Sequence, residues 1–364
     1  MVLYRKYRPK LFSEVVGQEH VVKTLTNALS RNILSHGYLF CGPHGCGKTT
    51  LARLFAKALN CQNRKAGEFE PCCKCDSCLE INQGNSLDLI EVDAASQTGV
   101  ENIRELKEGI GFVPAKSRYK VFILDEAHQL SKSAANALLK TLEEPPAHAI
   151  FILATTETHK MIPTILSRCQ KFDFHKLTLN EIVKRLGMIL KQEGIEFEKE
   201  AIEMIALSAD GAQRDAETLL DQALSFAGDK KITKEEVQAI LGIADKSDIF
   251  KFLKILAQKK VKEGIELINS LYFKGADLKE FTKQALEYLR LIMLLQIDPE
   301  SRAPLFLTLS NEEKLKLSDL AKEFSQERAK KAIETLMTAE TKLKYASIIQ
   351  LPLELAIIDI CLEK

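Results

Sequence analysis

Apolar positions follow two regimes along the chain. Up to about residue 175, short apolar runs at 38–41, 87–92, 121–124 and 150–154 alternate with helical patterns. Runs that short and that continuous predict parallel strands buried on both faces, so this part reads as an α/β domain. Between them, Thr98 and Glu101 are spaced as a capping box ahead of Ile103, Leu106 and Ile110. A further helix is predicted from Ser131 to about Glu143, stopped by Pro145 and Pro146, because proline lacks the amide that a continuing helix needs.

After residue 175 the strand pattern fades. Thr178 and Glu181 make a second capping box before Ile182, Leu186 and Ile189, and Asp210-Gly211 interrupts the helical spacing. Gly228-Asp229, followed by Thr233 and Glu236, marks a turn into another helix. A second boundary is placed at about Gly242 to Asp248, beyond which Leu278, Phe281, Ala285, Leu286, Leu289 and Ile292 line one face of a long helix. Three domains are therefore expected: α/β over 1–176, a small helical domain over 177–242 and a helical bundle over 243–364.

Composition narrows the class. A chain of 364 residues that is 46% hydrophobic and 28% charged is a folded globular protein of two or three domains. With 51 basic against 50 acidic side chains, the net charge of +1 supplies no general attraction to nucleic acid. Any DNA contact must come from a local patch or from several subunits together. The basic, aromatic start is not a signal peptide and no apolar run approaches a membrane span, so a cytoplasmic protein is expected.

Candidate chemistry starts at Gly42-Pro43-His44-Gly45-Cys46-Gly47-Lys48-Thr49, which fits the eight-residue phosphate-loop pattern between a predicted strand and the helical segment opened by Thr50. The glycines let main-chain amides face a phosphate at the positive end of that helix. Lys48 is then expected to bridge β- and γ-phosphates, and Thr49 to hold Mg²⁺. The run at 121–124 delivers Asp125 and Glu126 to its carboxyl end, where ligands bind in open α/β sheets. Asp125 suits the Mg²⁺ role and Glu126 the polarisation of an attacking water.

Nine cysteines in a reducing compartment point to metal or redox chemistry before disulfides. Five of them lie between positions 61 and 78, and Cys61, Cys72, Cys75 and Cys78 are separated by ten, two and two residues. Such spacing can fold four thiolates around one tetrahedral Zn²⁺, a closed structural site over 61–78. Redox switching and free thiols are the alternative uses. Cys73 is left over.

With these motifs placed, the chain resembles the γ/τ clamp-loader family of bacterial DNA polymerase III, within the AAA+ ATPases. The resemblance rests on Arg5-Lys6-Tyr7-Arg8-Pro9, Val15-Val16-Gly17-Gln18-Glu19-His20, the phosphate loop, the cysteine cluster, Asp93-Ala94-Ala95-Ser96 and 136–146. Leu153-Ala154-Thr155-Thr156, Ile165-Leu166-Ser167-Arg168-Cys169 and Arg214-Asp215-Ala216 extend it to about residue 220.

The resemblance implies an AAA+ fold with a zinc insertion, a helical lid and a helical collar used for oligomerisation. It implies that Thr155 senses the γ-phosphate, that Arg214 reports nucleotide state, and that Arg168 reaches a neighbouring subunit's nucleotide as an arginine finger. Tyr7, Arg8, Val16 and Gly17 would pack on the adenine. The implied cofactors are ATP, Mg²⁺ and Zn²⁺. The implied partners are the other subunits of a hetero-oligomer, a pentamer on the family pattern, together with the sliding clamp and primer-template DNA. The helix starts near Thr98 and at Ser131-Lys132 would face DNA phosphates. Two rival readings are a DEAH-type helicase, spelled by Asp125-Glu126-Ala127-His128, and a scaffold subunit that binds nucleotide without hydrolysing it.

Overall fold

A computed structural model describes residues 2–96, 109–228, 231–242, 245–298 and 309–362. The chain divides into two compact units after Lys234. The division falls before the boundary expected near residue 243, so helix Lys234–Leu241 lies almost wholly in the second unit.

The first unit is built on a five-stranded parallel sheet: β1 (Gly37–Cys41), β2 (Leu89–Asp93), β3 (Lys120–Asp125), β4 (Ala149–Thr155) and β5 (Gln170–Asp173), in the order β2-β3-β4-β1-β5. The four expected strands are all present. β1 and β4 are buried along their whole length, which is why they read as continuous apolar runs.

β2 begins at Leu89, two residues later than its apolar pattern suggests. Leu87 is exposed, and the buried Asp88 turns its carboxylate to the amides of Ala115 (2.6 Å), Lys116 (2.9 Å) and Ser117 (2.8 Å). β5 was not legible: in Gln-Lys-Phe-Asp only Phe172 is buried, as befits a sheet edge.

Helices α1 (Glu19–Arg31) and α2 (Lys48–Asn60) share one core with one face of the sheet, through Val21, Leu25, Leu51 and Phe55 against Tyr38, Phe40 and Ile152. The opposite face, with Leu39, Phe122 and Phe151, carries α4 (Lys132–Glu143) through Leu138 and Leu142. Ser131 caps α4 by accepting from the Ala134 amide. Helix α3 (Asp76–Gln83) belongs to the cysteine segment. The predicted capping box at Thr98 and Glu101, with Ile103 and Leu106, lies outside the described residues, as does the side chain of Lys132.

Three helices complete the first unit: α5 (Leu179–Glu193), α6 (Lys199–Ser208) and α7 (Gln213–Ala227). Thr178 and Glu181 form the expected reciprocal capping box on α5. Asp210 and Gly211, both with positive φ, make the break before α7.

The second unit is a helical bundle comprising α8 (Lys246–Ala257), α9 (Val261–Phe273), α10 (Leu278–Ile297), α11 (Asn311–Glu323), α12 (Gln326–Leu343) and α13 (Leu351–Leu362). Its core includes Phe252, Phe281, Leu289, Leu336 and Ile357. Five of the six positions expected on one face of α10 are fully buried, and Leu286 packs against them partly buried.

Candidate functional site

The loop 42–47 leaves β1 and enters α2 through three glycines with positive φ: Gly42, Gly45 and Gly47. Gly42 is also a close-approach position, since a Cβ there would stand 2.4 Å from the Phe174 carbonyl oxygen. No side chain caps α2, so its first amides remain directed at the loop's concavity. Lys48 is buried, and its ammonium donates to the carbonyls of Gly42 (2.8 Å) and Pro43 (2.7 Å). The side chain is thus drawn across the loop it is expected to serve.

Cys46 is part of the packing. Its thiol is buried, donates to the Pro43 carbonyl at 2.9 Å and is held above its ordinary pKa by burial.

The carboxylates expected at the end of β3 converge on the same place. Thr49 Oγ1 donates to Asp125 Oδ2 at 2.7 Å, while Asp125 Oδ1 accepts from the Glu126 amide at 3.0 Å. Glu126 adopts the left-handed conformation at φ 47°, uncommon for a residue other than glycine. Its carboxylate accepts from Thr156 Oγ1 at 3.0 Å and lies 3.5 Å from His44 Nδ1 and 3.4 Å from His128 Nδ1. Thr155, fully buried, sits 3.1 Å from His128 Nδ1 through its hydroxyl.

A cavity joins these groups. It is lined by 44–51, Asp125 and Glu126, by Tyr4, Arg8, Pro9, Val15 and Val16 from the amino-terminal segment, and by Gln213, Arg214 and Glu217 of α7. Of the four residues expected on an adenine, Arg8 and Val16 line it. Tyr7 and Gly17 instead support its wall. The Tyr7 hydroxyl donates to Glu193 at 2.8 Å and its carbonyl accepts from Arg185, whereas a Cβ on Gly17 would collide with Leu177.

Sequence reasoning missed Tyr4, Gln213 and Glu217. Tyr4 faces Arg214, whose guanidinium lies 4.9 Å from the ring centroid. Arg214 acting as a hydrogen-bond donor to the hydroxyl, followed by the charge of Arg5, lowers the Tyr4 phenol below its ordinary pKa. Glu217 accepts from Gln213 at 2.8 Å and pairs with the buried Arg185 at 3.1 Å. Its signal was only its position, one turn after Arg214 on the same helix.

Arg168 stands apart from this cavity. Its guanidinium donates to Glu143 at 2.6 Å and to the Thr164 carbonyl at 2.9 Å.

Cys61, Cys72, Cys75 and Cys78 bring their sulfurs within 4.8 Å of one another. The Cys72–Cys78 separation is 4.0 Å, close to the roughly 3.8 Å edge of a tetrahedron with Zn–S bonds of about 2.3 Å. The Cys72 amide donates to the Cys61 sulfur at 3.2 Å, and the Cys75 amide to that of Cys72 at 3.3 Å. Burial opposes ionisation of Cys72, but the Lys74 and Cys75 amides outweigh it and bring that thiol down to about 6. The donor set fits one structural Zn²⁺ with no open position. Cys73 is outside the set, in a left-handed conformation, its sulfur against the Lys10 carbonyl at 3.4 Å.

Three family models match consecutive parts of the chain. Residues 17–178 match "DNA polymerase III, delta subunit", 181–229 "DNA polymerase III clamp loader subunit, ATPase lid domain", and 232–364 "DNA polymerase III subunits gamma and tau domain III". The DNA polymerase III subunit gamma of Buchnera aphidicola subsp. Schizaphis graminum is 40% identical over 315 residues, 86% of each chain. The chain belongs to the DNA polymerase III gamma/tau family.

The tau subunits in this gamma/tau family are longer. That of Bacillus subtilis is 43% identical over 363 residues, 99% of this chain and 63% of its own length. For Escherichia coli tau the values are 39% over 345 residues, 95% and 53%. This chain thus spans less than two thirds of either. Among solved structures, the Thermotoga maritima RuvB Holliday junction branch migration motor matches at a TM-score of 0.48 and 22% identity, over 69% of this chain and 79% of that one. No helix among the described residues is long and apolar enough to cross a membrane.

Proposed function

We propose that this gamma/tau chain is an ATP-hydrolysing motor subunit of a clamp loader, which uses ATP to open a sliding clamp and place it on primed DNA. One observation carries the reading: the phosphate loop, the Thr49–Asp125 pair and Glu126 meet in one cavity whose far wall includes Arg214 of a separate helical layer.

The chain's residues divide the work. Loop amides and Lys48 take the β- and γ-phosphates, exchanging the carbonyl contacts of Lys48 for the stronger pairing with anionic oxygen. Thr49 and Asp125 are the residues to hold Mg²⁺, which would draw charge from the phosphates. Glu126 orients the attacking water from the end of β3. Thr155 and Arg214 sense the γ-phosphate, Arg214 by drawing α7 over the loop. Arg8 and Val16 supply the surface for the base.

Arg168 acts on a neighbouring subunit's nucleotide. Its grip on Glu143 must then be released when subunits meet, so cleavage awaits assembly. Cys61, Cys72, Cys75 and Cys78 hold Zn²⁺ as a structural staple. The second unit serves as the oligomerising collar for a pentamer. The helicase reading lacks support, because the second unit is a helical bundle rather than another ATPase lobe among the described residues.

The experiment is ATP turnover by the assembled complex with and without clamp and primed DNA. Stimulation by both together is expected. Turnover indifferent to the clamp, accompanied by strand separation, would overturn the assignment.

A further inference from the structure

His128 is the third residue after Asp125, and the proposed mechanism assigns it nothing. Its environment is not that of a casual surface histidine. The side chain is 8% exposed, on the tight turn Ala127–Gln129 that follows β3. Nδ1 lies 3.1 Å from Thr155 Oγ1 and 3.4 Å from Glu126 Oε2, while Nε2 lies 3.1 Å from Glu157 Oε2. One imidazole therefore touches both the proposed phosphate sensor and the proposed water-orienting carboxylate, and a third group fixes its far edge.

The hydrogen-bond inventory of Thr155 makes this consequential. Its hydroxyl has one proton to give, and it already accepts from the Glu157 amide at 3.1 Å. With Nε2–H directed at the Glu157 carboxylate, Nδ1 is an acceptor and the Thr155 proton points to it. A γ-phosphate oxygen that engages Thr155 competes for that same proton. The partner it displaces is the ring, whose unprotonated Nδ1 also faces Glu126 Oε2 at 3.4 Å; that oxygen accepts from Thr156 at 3.0 Å, and the other Glu126 oxygen faces His44.

We propose that His128 is a positioning residue for hydrolysis that couples the Thr155 hydroxyl to the Glu126 carboxylate, so that phosphate sensing and alignment of the attacking water are one event. The proposal rests on the roles given above to Thr155 and Glu126. Glu157 is the brace that sets the ring: Lys160, at 2.7 Å, holds its carboxylate ionised, below the usual range.

Side-chain geometry supplies the test. Asparagine places an amide atom at the position of Nδ1, and glutamine places one near Nε2. H128A, H128N, H128Q and E126Q are each assembled into the complete clamp loader, with clamp- and DNA-stimulated turnover measured alongside binding of a fluorescent ATP analogue. H128A is expected to lower kcat by about 10- to 100-fold with KM and analogue affinity within about twofold. H128N should recover most of the loss, and H128Q little of it.

An unchanged kcat in H128A would overturn the coupling, as would equal recovery by asparagine and glutamine, which would mark a packing role. Loss of analogue binding in step with kcat would do the same. If H128A does not assemble, the contrast between H128N and H128Q decides alone. E126Q separates the two levels: normal turnover in E126Q removes the site reading itself, whereas inactive E126Q with normal H128A removes only this inference.

Discussion

Thr49 Oγ1 lies 2.7 Å from Asp125 Oδ2, joining the first turn of α2 to the carboxyl end of β3. Two residues that are 76 positions apart in sequence are thereby held as a ready pair of oxygen ligands, the arrangement Mg²⁺ favours at phosphate sites. The sheet makes the pairing possible, because β3 and β1 flank β4 in parallel register and their loops emerge on the same side. T49A should lower stimulated turnover about 100-fold, equivalent to about 2.7 kcal/mol of lost charge stabilisation. Raised Mg²⁺ should restore part of it, and T49S should behave nearly as the parent. A magnesium titration of turnover checks all three.

Arg185 and Glu217 form a second relationship, both more than nine-tenths buried and 3.1 Å apart. Because Arg185 also donates to the Tyr7 carbonyl, it ties α5 and α7 to the amino-terminal segment that lines the cavity. R185A leaves the Glu217 carboxylate buried without its counter-charge, with Gln213 as its remaining donor, and is expected to cost about 3–5 kcal/mol. R185M/E217M, which removes both charges, should be less destabilised than R185A alone. Urea denaturation of the three proteins decides it.

Asp88 predicts a pH dependence. Burial pushes its carboxyl upward, but the amides of Lys116, Ala115 and Ser117 prevail and hold its pKa below the ordinary value. A depressed folded pKa contributes stability that is complete above the unfolded pKa of about 3.9 and is lost as pH falls through the folded value. D88N should therefore be less stable than the parent by about 2 kcal/mol at pH 7, with the gap closing below about pH 4. Melting curves from pH 7 to 3 test the sign.

The cysteine cluster should bind one equivalent of Zn²⁺ per chain, and C78S should abolish it, whereas C73S should keep it. Cys73 faces the Lys10 carbonyl rather than the other four sulfurs. Metal analysis of the purified variants is sufficient. Equal zinc loss in C73S would show that the ligand set is wrong.

Much of this was legible in the sequence, for identifiable reasons. Buried parallel strands announce themselves as apolar runs, and the glycine spacing of 42–47 admits few other conformations. The Thr178–Glu181 capping box is local chemistry that needs no tertiary context. β5 was missed because an edge strand with one buried residue carries no period. The start of β2 was misjudged because Leu87 is apolar yet exposed, and what ends the strand there is a carboxylate reaching 27 to 29 residues ahead.

The wall made by Tyr4 and Glu217 was illegible for the same reason. Nothing in the spacing says that α7 and the amino-terminal segment meet over the loop. In the sequence His128 is only the last letter of Asp125-Glu126-Ala127-His128, while its contacts with Thr155 and Glu157 appear only when β4 is laid beside β3.

Lys48 and the loop amides are proposed to hold the triphosphate that this chain cleaves. Calorimetric titration of ATP into the parent chain and into K48A, paired with stimulated turnover in the assembled loader, is the decisive measurement. The account predicts that K48A binds ATP at least about 100-fold more weakly, a loss of about 2.7 kcal/mol, with turnover reduced to background. Parent-like affinity and parent-like stimulated turnover in K48A would contradict it.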